Sequence, residues 1–213
     1  MNQLARVLGF GLLSALAERL PARAAMAVQI VLILVGSLLP LWPLSRGTIG
    51  LQDLLAYSAL WLAMSVGTTL IRLLTMTRAG SAAQFWALHY AIMIGVLSLV
   101  TGIWAVILIS LTGGGSWSTL LLTGLAMLLA NAWALADGWF SRGGRTVAKL
   151  WQVLLPGYLR FVPVLLATVL GAVVILGEYD DYRFLVGACL VVALTVIDLT
   201  LAVLSYRRVL QPS

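Results

Sequence analysis

Long apolar runs alternate with short polar stretches along the whole chain. The runs lie at about residues 24–44, 54–71, 84–111, 119–135, 161–176 and 184–204. A helix needs about 20 apolar residues to cross the hydrocarbon core of a bilayer, and several of the runs reach that length. The pattern predicts an all-α, polytopic membrane helix bundle with six transmembrane helices.

The punctuation between the runs sets the expected connections. Pro40 and Pro43 fall near the far end of the first run, where a lost backbone donor kinks or ends a helix, and Trp42 suits an interface there. Asp53 and Arg72 bracket the second run. The third is longer than a span needs, so it tilts or protrudes. Gly113-Gly114-Gly115 reads as a tight reversal. The stretch from Asp137 to Tyr158 is the longest connection. Its Arg142-Gly143-Gly144-Arg145 turn precedes Leu150, Trp151, Val153, Leu154 and Leu155, which read as a short surface-lying helix ended by Pro156-Gly157. Pro163 sits in the first turn of the fifth run, where proline is tolerated.

Residues 1–23 are weakly amphipathic: Leu4, Val7, Leu8, Leu12 and Leu16 recur near helical spacing among Arg6, Glu18 and Arg19. A signal peptide cut after Ala15-Leu16-Ala17 is one reading. An interfacial helix on the cytoplasmic face is the preferred one, because cleavage would leave Arg19 and Arg23 on the far side beside a span.

Composition adds the class. Of 213 residues, 62% are apolar and 9% charged, against roughly 25% charged in soluble domains. One integral membrane domain over residues 1–213 is expected, with almost no soluble part. The net charge of +6 does not point to nucleic acid, because the basic residues are spread over several loops. Arg6, Arg19, Arg23, Arg72, Arg78, Arg142, Arg145, Lys149, Arg160, Arg207 and Arg208 fall on one side of the predicted spans, and only Arg46 and Arg183 on the other. That bias predicts cytoplasmic amino and carboxyl ends in a bacterial inner membrane. Cys189 lies in the last run, cannot form an internal disulfide, and is expected as a small buried hydrophobe.

The polar residues inside the spans carry the candidate chemistry. His89, the only histidine, Asn131, Asp198 and Gln29 all fall roughly 6–9 Å inside the basic boundary at 1.5 Å per residue. Asp137 and Arg160 lie at the mouth of the same layer. A lone carboxylate facing lipid is costly, so Asp198 is expected to face the interior, paired with His89, Arg160 or Arg72. The candidate intramembrane polar site is therefore His89, Asn131, Asp198 and Arg160. A purely structural hydrogen-bond layer is the plainer alternative. Arg142, Arg145, Lys149 and Trp151 are candidate lipid-headgroup contacts. Glu178, Asp180 and Asp181 read as a solvated acidic loop before a cation site, and Ala167-x-x-x-Gly171 as helix packing. There is no second histidine, cysteine pair or His-Glu-x-x-His, so no metal site of standard ligands is expected. No glycine-rich phosphate loop or nucleophile elbow is present, and neither a cofactor nor a catalytic residue is assigned.

From the second span onward the order of features resembles a family of bacterial multi-pass membrane proteins of unknown function. Trp61 and His89-Tyr90 match its pattern, Ser141-Arg142-Gly143-Gly144-Arg145 suits its basic turn, and Pro156-Gly157-Tyr158-Leu159-Arg160 is similar to its Pro-Tyr-x-Arg segment with an insertion. Thr195-Val196-Ile197-Asp198 keeps its acid. Ala63 and Met64 replace an acid and an amide, Leu97 a histidine, Asn131 another histidine, and Leu194 and Ala202 a lysine and a histidine. The resemblance implies the same helical fold and no known activity, and these departures count against metal or proton chemistry.

Three functional classes follow: a structural or accessory membrane subunit, a small transporter or channel using His89 and Asp198, and an intramembrane enzyme. The first is favoured by sparse polar chemistry, the last least for want of a nucleophile. Candidate partners are membrane lipids and, within the membrane, another protein or further copies of the chain.

Overall fold

The computed structural model describes residues 9–77, 80–113 and 115–210. Arg6, Arg78 and the first eight residues of the amino-terminal segment lie outside that description, as do Gly114 and the side chains of Arg207 and Arg208. The described residues form α1 (Gly11–Arg19), α2 (Ala22–Leu38), α3 (Leu41–Ser45), α4 (Leu51–Thr75), α5 (Gly80–Thr112) and α6 (Trp117–Ala134). A π-helical turn (Leu135–Ser141) continues α6, followed by α7 (Gly144–Val147), α8 (Leu150–Leu176) and α9 (Asp180–Leu210). No strand occurs among them. Six stretches of 24 to 31 residues are long and apolar enough to cross a membrane, one for each run in the sequence.

Local chemistry explains the boundaries. Pro40 and Pro43 end α2 and leave α3 as a short separate turn. α4 begins earlier than the apolar run because Asp53 lies in its first turn, where its carboxylate accepts the Gly50 N–H at 2.8 Å and favours the positive helix end. Gly113 and Gly115 both take left-handed backbone, with φ of 75° and 97°, as the reversal between α5 and α6 requires.

Three expectations need correction. The segment 150–155 is not a separate surface helix: it forms the first turns of α8, which runs unbroken through Pro156 and Pro163 to Leu176, so Pro163 lies mid-helix and not in a first turn. The Lys149 N–H is capped by Gln152 Oε1 at 3.1 Å, and Val153, Leu154, Pro156 and Gly157 are all buried. Packing of that face outweighs the one hydrogen bond a helical proline removes. Cys189 is exposed rather than buried, because its neighbours Leu190 and Val191 take the inward positions of α9.

The bundle is built around α4. Half of its apolar window is buried, against 22% for α5, which identifies α4 as the axis and α5 as periphery. Leu51, Leu55, Leu62 and Leu73 turn into the main core with Tyr90, Ile94, Leu108 and Val164. Small residues bring neighbours close. Ser98 of α5 donates to the Ala59 carbonyl at 2.7 Å, and a Cβ on Gly171 of α8 would stand 3.3 Å from Leu55. The Ala167-x-x-x-Gly171 stripe is therefore a packing surface on α4.

The outside of the bundle is apolar. On α5 alone, Leu88, Ile92, Val96, Leu99, Ile103 and Val106 are all more than half exposed. Patches on soluble monomers seldom exceed a few hundred Å². The ends differ in charge. The α4–α5, π-turn–α8 and α1–α2 connections gather at one end, where Arg142 reaches the Leu20 carbonyl and Thr77 the Arg145 carbonyl. Arg46 and Arg183 belong to the opposite end.

Candidate functional site

Two buried polar clusters lie toward the basic end. The first joins α4, α5, α8 and α9. Arg160 donates from Nε to Asp198 Oδ1 at 2.7 Å, and its Nη2 stands 2.6 Å from the same oxygen. Its Nη1 donates to Ser65 Oγ at 2.9 Å. Tyr90, fully buried, places its hydroxyl 3.5 Å from Ser65 Oγ and 3.4 Å from Thr69 Oγ1, and its ring meets Tyr158 edge-on. Tyr90 fits only because residue 157 is glycine: a Cβ there would coincide with its hydroxyl. The side chains of Arg160 and Asp198 are 13% and 9% exposed, so their charges compensate each other away from water.

Arg72, in the last turn of α4, borders this cluster and lacks such compensation. Its Nε is buried with no hydrogen-bond partner among the described residues. Its guanidinium lies 5.9 Å from the centre of the Trp139 ring, and the like charge of Arg160 acts on it. A cation–π contact contributes about 0.5–2 kcal/mol. Desolvating an ion costs several kcal/mol.

The second cluster sits on the π turn. Asp137 is fully buried, accepts Arg142 Nε at 2.8 Å through one oxygen, and is held by the Tyr206 hydroxyl through the other. Arg142 Nη2 also donates to the Leu20 and Ala17 carbonyls at 3.0 and 3.4 Å, just at the end of α1. Trp133 Nε1 donates to the Ala25 carbonyl, and Trp139 Nε1 to Thr75 Oγ1 at 2.8 Å. The end of α1, the end of α4 and α9 are thus tied to one seven-residue turn and the Arg142 that caps it, while the last turn of α6 holds the start of α2.

Of the four residues expected to share a site, Arg160 and Asp198 form the ion pair. Asn131 and Asp198 face a common narrow cleft of ≈ 20 Å³ with Ile33, Gly36, Trp61 and Met127. The Asn131 amide is turned to its own helix, donating to the Met127 carbonyl at 2.9 Å. Gln29 donates to the Ala130 carbonyl at 3.3 Å while its Oε1 stays buried without a partner among the described residues. His89 does not join them. Its ring lies against Phe85 and Trp86 on its own helix, and it makes no hydrogen bond or ion pair among the described residues. An adjoining cleft of ≈ 10 Å³ is lined by Leu54, Tyr57, Leu190 and Val191. Each has room for about one water, far below the roughly 300–1,000 Å³ of small-molecule sites. Among the described residues no three His, Cys, Asp or Glu side chains group as metal ligands would.

A family of unknown function, DUF6498, matches residues 19–213. The chain belongs to this family. No curated protein and no solved structure matches it. The match runs from the last residue of α1 to the carboxyl end, so in this DUF6498 chain it includes both clusters. Of the four candidate headgroup contacts, Arg142 is committed to Asp137 and α1, Lys149 and Trp151 are exposed, and Arg145 is half-buried on α7.

Sequence reasoning missed the Asp137–Arg142–Tyr206 cluster. The signal was the five-residue spacing of Asp137 and Arg142, each followed by a glycine, Gly138 and Gly143. Five is the repeat of a π turn, and in an α-helix that spacing does not bring side chains together.

Proposed function

We propose that this DUF6498 protein is an integral protein of a bacterial inner membrane, with both ends in the cytoplasm. It serves there as a structural or accessory subunit that holds a partner. The charge bias of the loops supports the orientation, and the apolar outer faces support membrane insertion. One observation carries the accessory role: the two buried acids at the basic end, Asp198 and Asp137, are each held by internal ion pairs and hydrogen bonds. Such clusters fix helix register, and neither buried acid is left free for turnover. The partner is another membrane protein or further copies of the chain. Native mass spectrometry of the protein extracted from its own membranes in lipid nanodiscs tests this. The accessory reading expects one partner of fixed stoichiometry. A lone monomer in every preparation contradicts it.

A transporter or channel is the second reading, favoured by the buried Arg160–Asp198 pair, since ionisable groups at this depth commonly mark transport paths. Purified wild-type protein in vesicles loaded with a pH-sensitive dye separates the two. Proton flux equal to that of empty vesicles is expected for an accessory subunit, and flux well above it for a proton path.

A further inference from the structure

We infer that Arg72 is the centre of an oxyanion site that takes a phosphate-type group at the basic end of the bundle. All seven carboxylate side chains of the protein fall within the described residues, and none pairs with Arg72. Asp198 is held by Arg160, Asp137 by Arg142 and Tyr206, Asp180 by Arg183, and Asp53 caps Gly50. Glu178 and Asp181 belong to the opposite end, and Glu18 is exposed on α1.

Arg72 is the uncompensated charge of its region, because the neighbouring cation Arg160 is neutralised by Asp198. Thr69, one turn before Arg72 on α4, and Tyr90 of α5 bring hydroxyl groups to the same region. Trp139 of the π turn holds the guanidinium by its ring and is itself fixed by Thr75. Arg72 keeps part of its surface exposed while its Nε is shut in, so an anion reaches it from outside the bundle. A planar guanidinium suits phosphate oxygens because it offers paired, parallel donors. Two sources supply that chemistry: the headgroup of an anionic phospholipid and free inorganic phosphate. The assignment differs from a general attraction of the basic loops for anionic lipid, because it rests on one partly buried residue. It does not depend on the accessory role proposed above.

Thermal unfolding of the purified full chain in a neutral detergent tests it, with phosphatidylglycerol, phosphatidylcholine or inorganic phosphate added. For wild type, phosphatidylglycerol should raise the midpoint by about 5 °C more than phosphatidylcholine does. An equal rise with inorganic phosphate identifies the free anion as sufficient; no rise with phosphate identifies the lipid. Arg72→Met should lose this rise, yet be at least as stable as wild type without any anion, since it removes an uncompensated charge. Arg72→Lys should keep part of the rise, and Lys149→Gln, an exposed control, nearly all of it. The inference is overturned if neither anion shifts wild type, or if Arg72→Met keeps the full shift. Equal losses in Lys149→Gln and Arg72→Met, or an Arg72→Met protein less stable than wild type without anion, overturn it too.

Discussion

At the scale of single residues, the first cluster separates what a position along a helix reveals from what it hides. Depth along the last run is enough to turn Asp198 toward the interior, because an unpaired carboxylate facing lipid is too costly, and Arg160 is one of three partners within reach of it. Azimuth was not legible. His89 and Tyr90 are adjacent, so about 100° of helix separates them: Tyr90 takes the buried direction and His89 the side of Phe85 and Trp86. Asp198→Asn should destabilise the protein by on the order of 3–5 kcal/mol, because Arg160 is left as a buried unpaired cation. The double variant Arg160→Met with Asp198→Leu should recover most of that loss in chemical unfolding from mixed micelles. Gly157→Ala should cost about 1–3 kcal/mol by displacing Tyr90, as overpacking does elsewhere, whereas Tyr90→Phe should cost less than about 1 kcal/mol, its hydroxyl contacts being long.

Among the elements, the π turn organises the basic end. Widening the helix at residues 135–141 brings Arg142 onto Asp137, and Arg142 then reaches the carbonyls that end α1. The apolar period of the sequence announced six long helices, since their faces need only an apolar environment. It could not announce the π turn, whose spacing is meaningful only once the turn exists. Nor could it announce that α8 continues through Pro156, which depends on the neighbours that bury that face. Arg142→Gln should loosen α1 without unfolding the bundle. Backbone hydrogen exchange over residues 11–19 is expected to quicken by about ten-fold, the equivalent of about 1.4 kcal/mol, while α4 keeps its protection. Unchanged exchange in α1 would show that its hold comes from the Phe10–Phe140 stacking and the burial of Ala17.

For the whole molecule, the decisive features are an apolar mantle, a dense axis at α4 and two ends of unequal charge. Ion pairs lock the basic end, and the opposite end is joined by polar turns such as the Gln52 side chain on the Gly113 carbonyl. This asymmetry was the most legible property of the chain, because it needs only the order of apolar runs and the positions of 13 basic residues. It also underlies the claim that both clusters face the cytoplasm. Labelling of single cysteines with a membrane-impermeant maleimide tests that claim most directly, once exposed Cys189 is replaced by alanine. In whole cells with the outer membrane opened, Thr48→Cys, Ser118→Cys and Asp181→Cys should label, and Thr77→Cys and Thr146→Cys only after the inner membrane is broken. Labelling of Thr146→Cys in intact cells, or Thr48→Cys and Asp181→Cys on different sides, would contradict the six-span account.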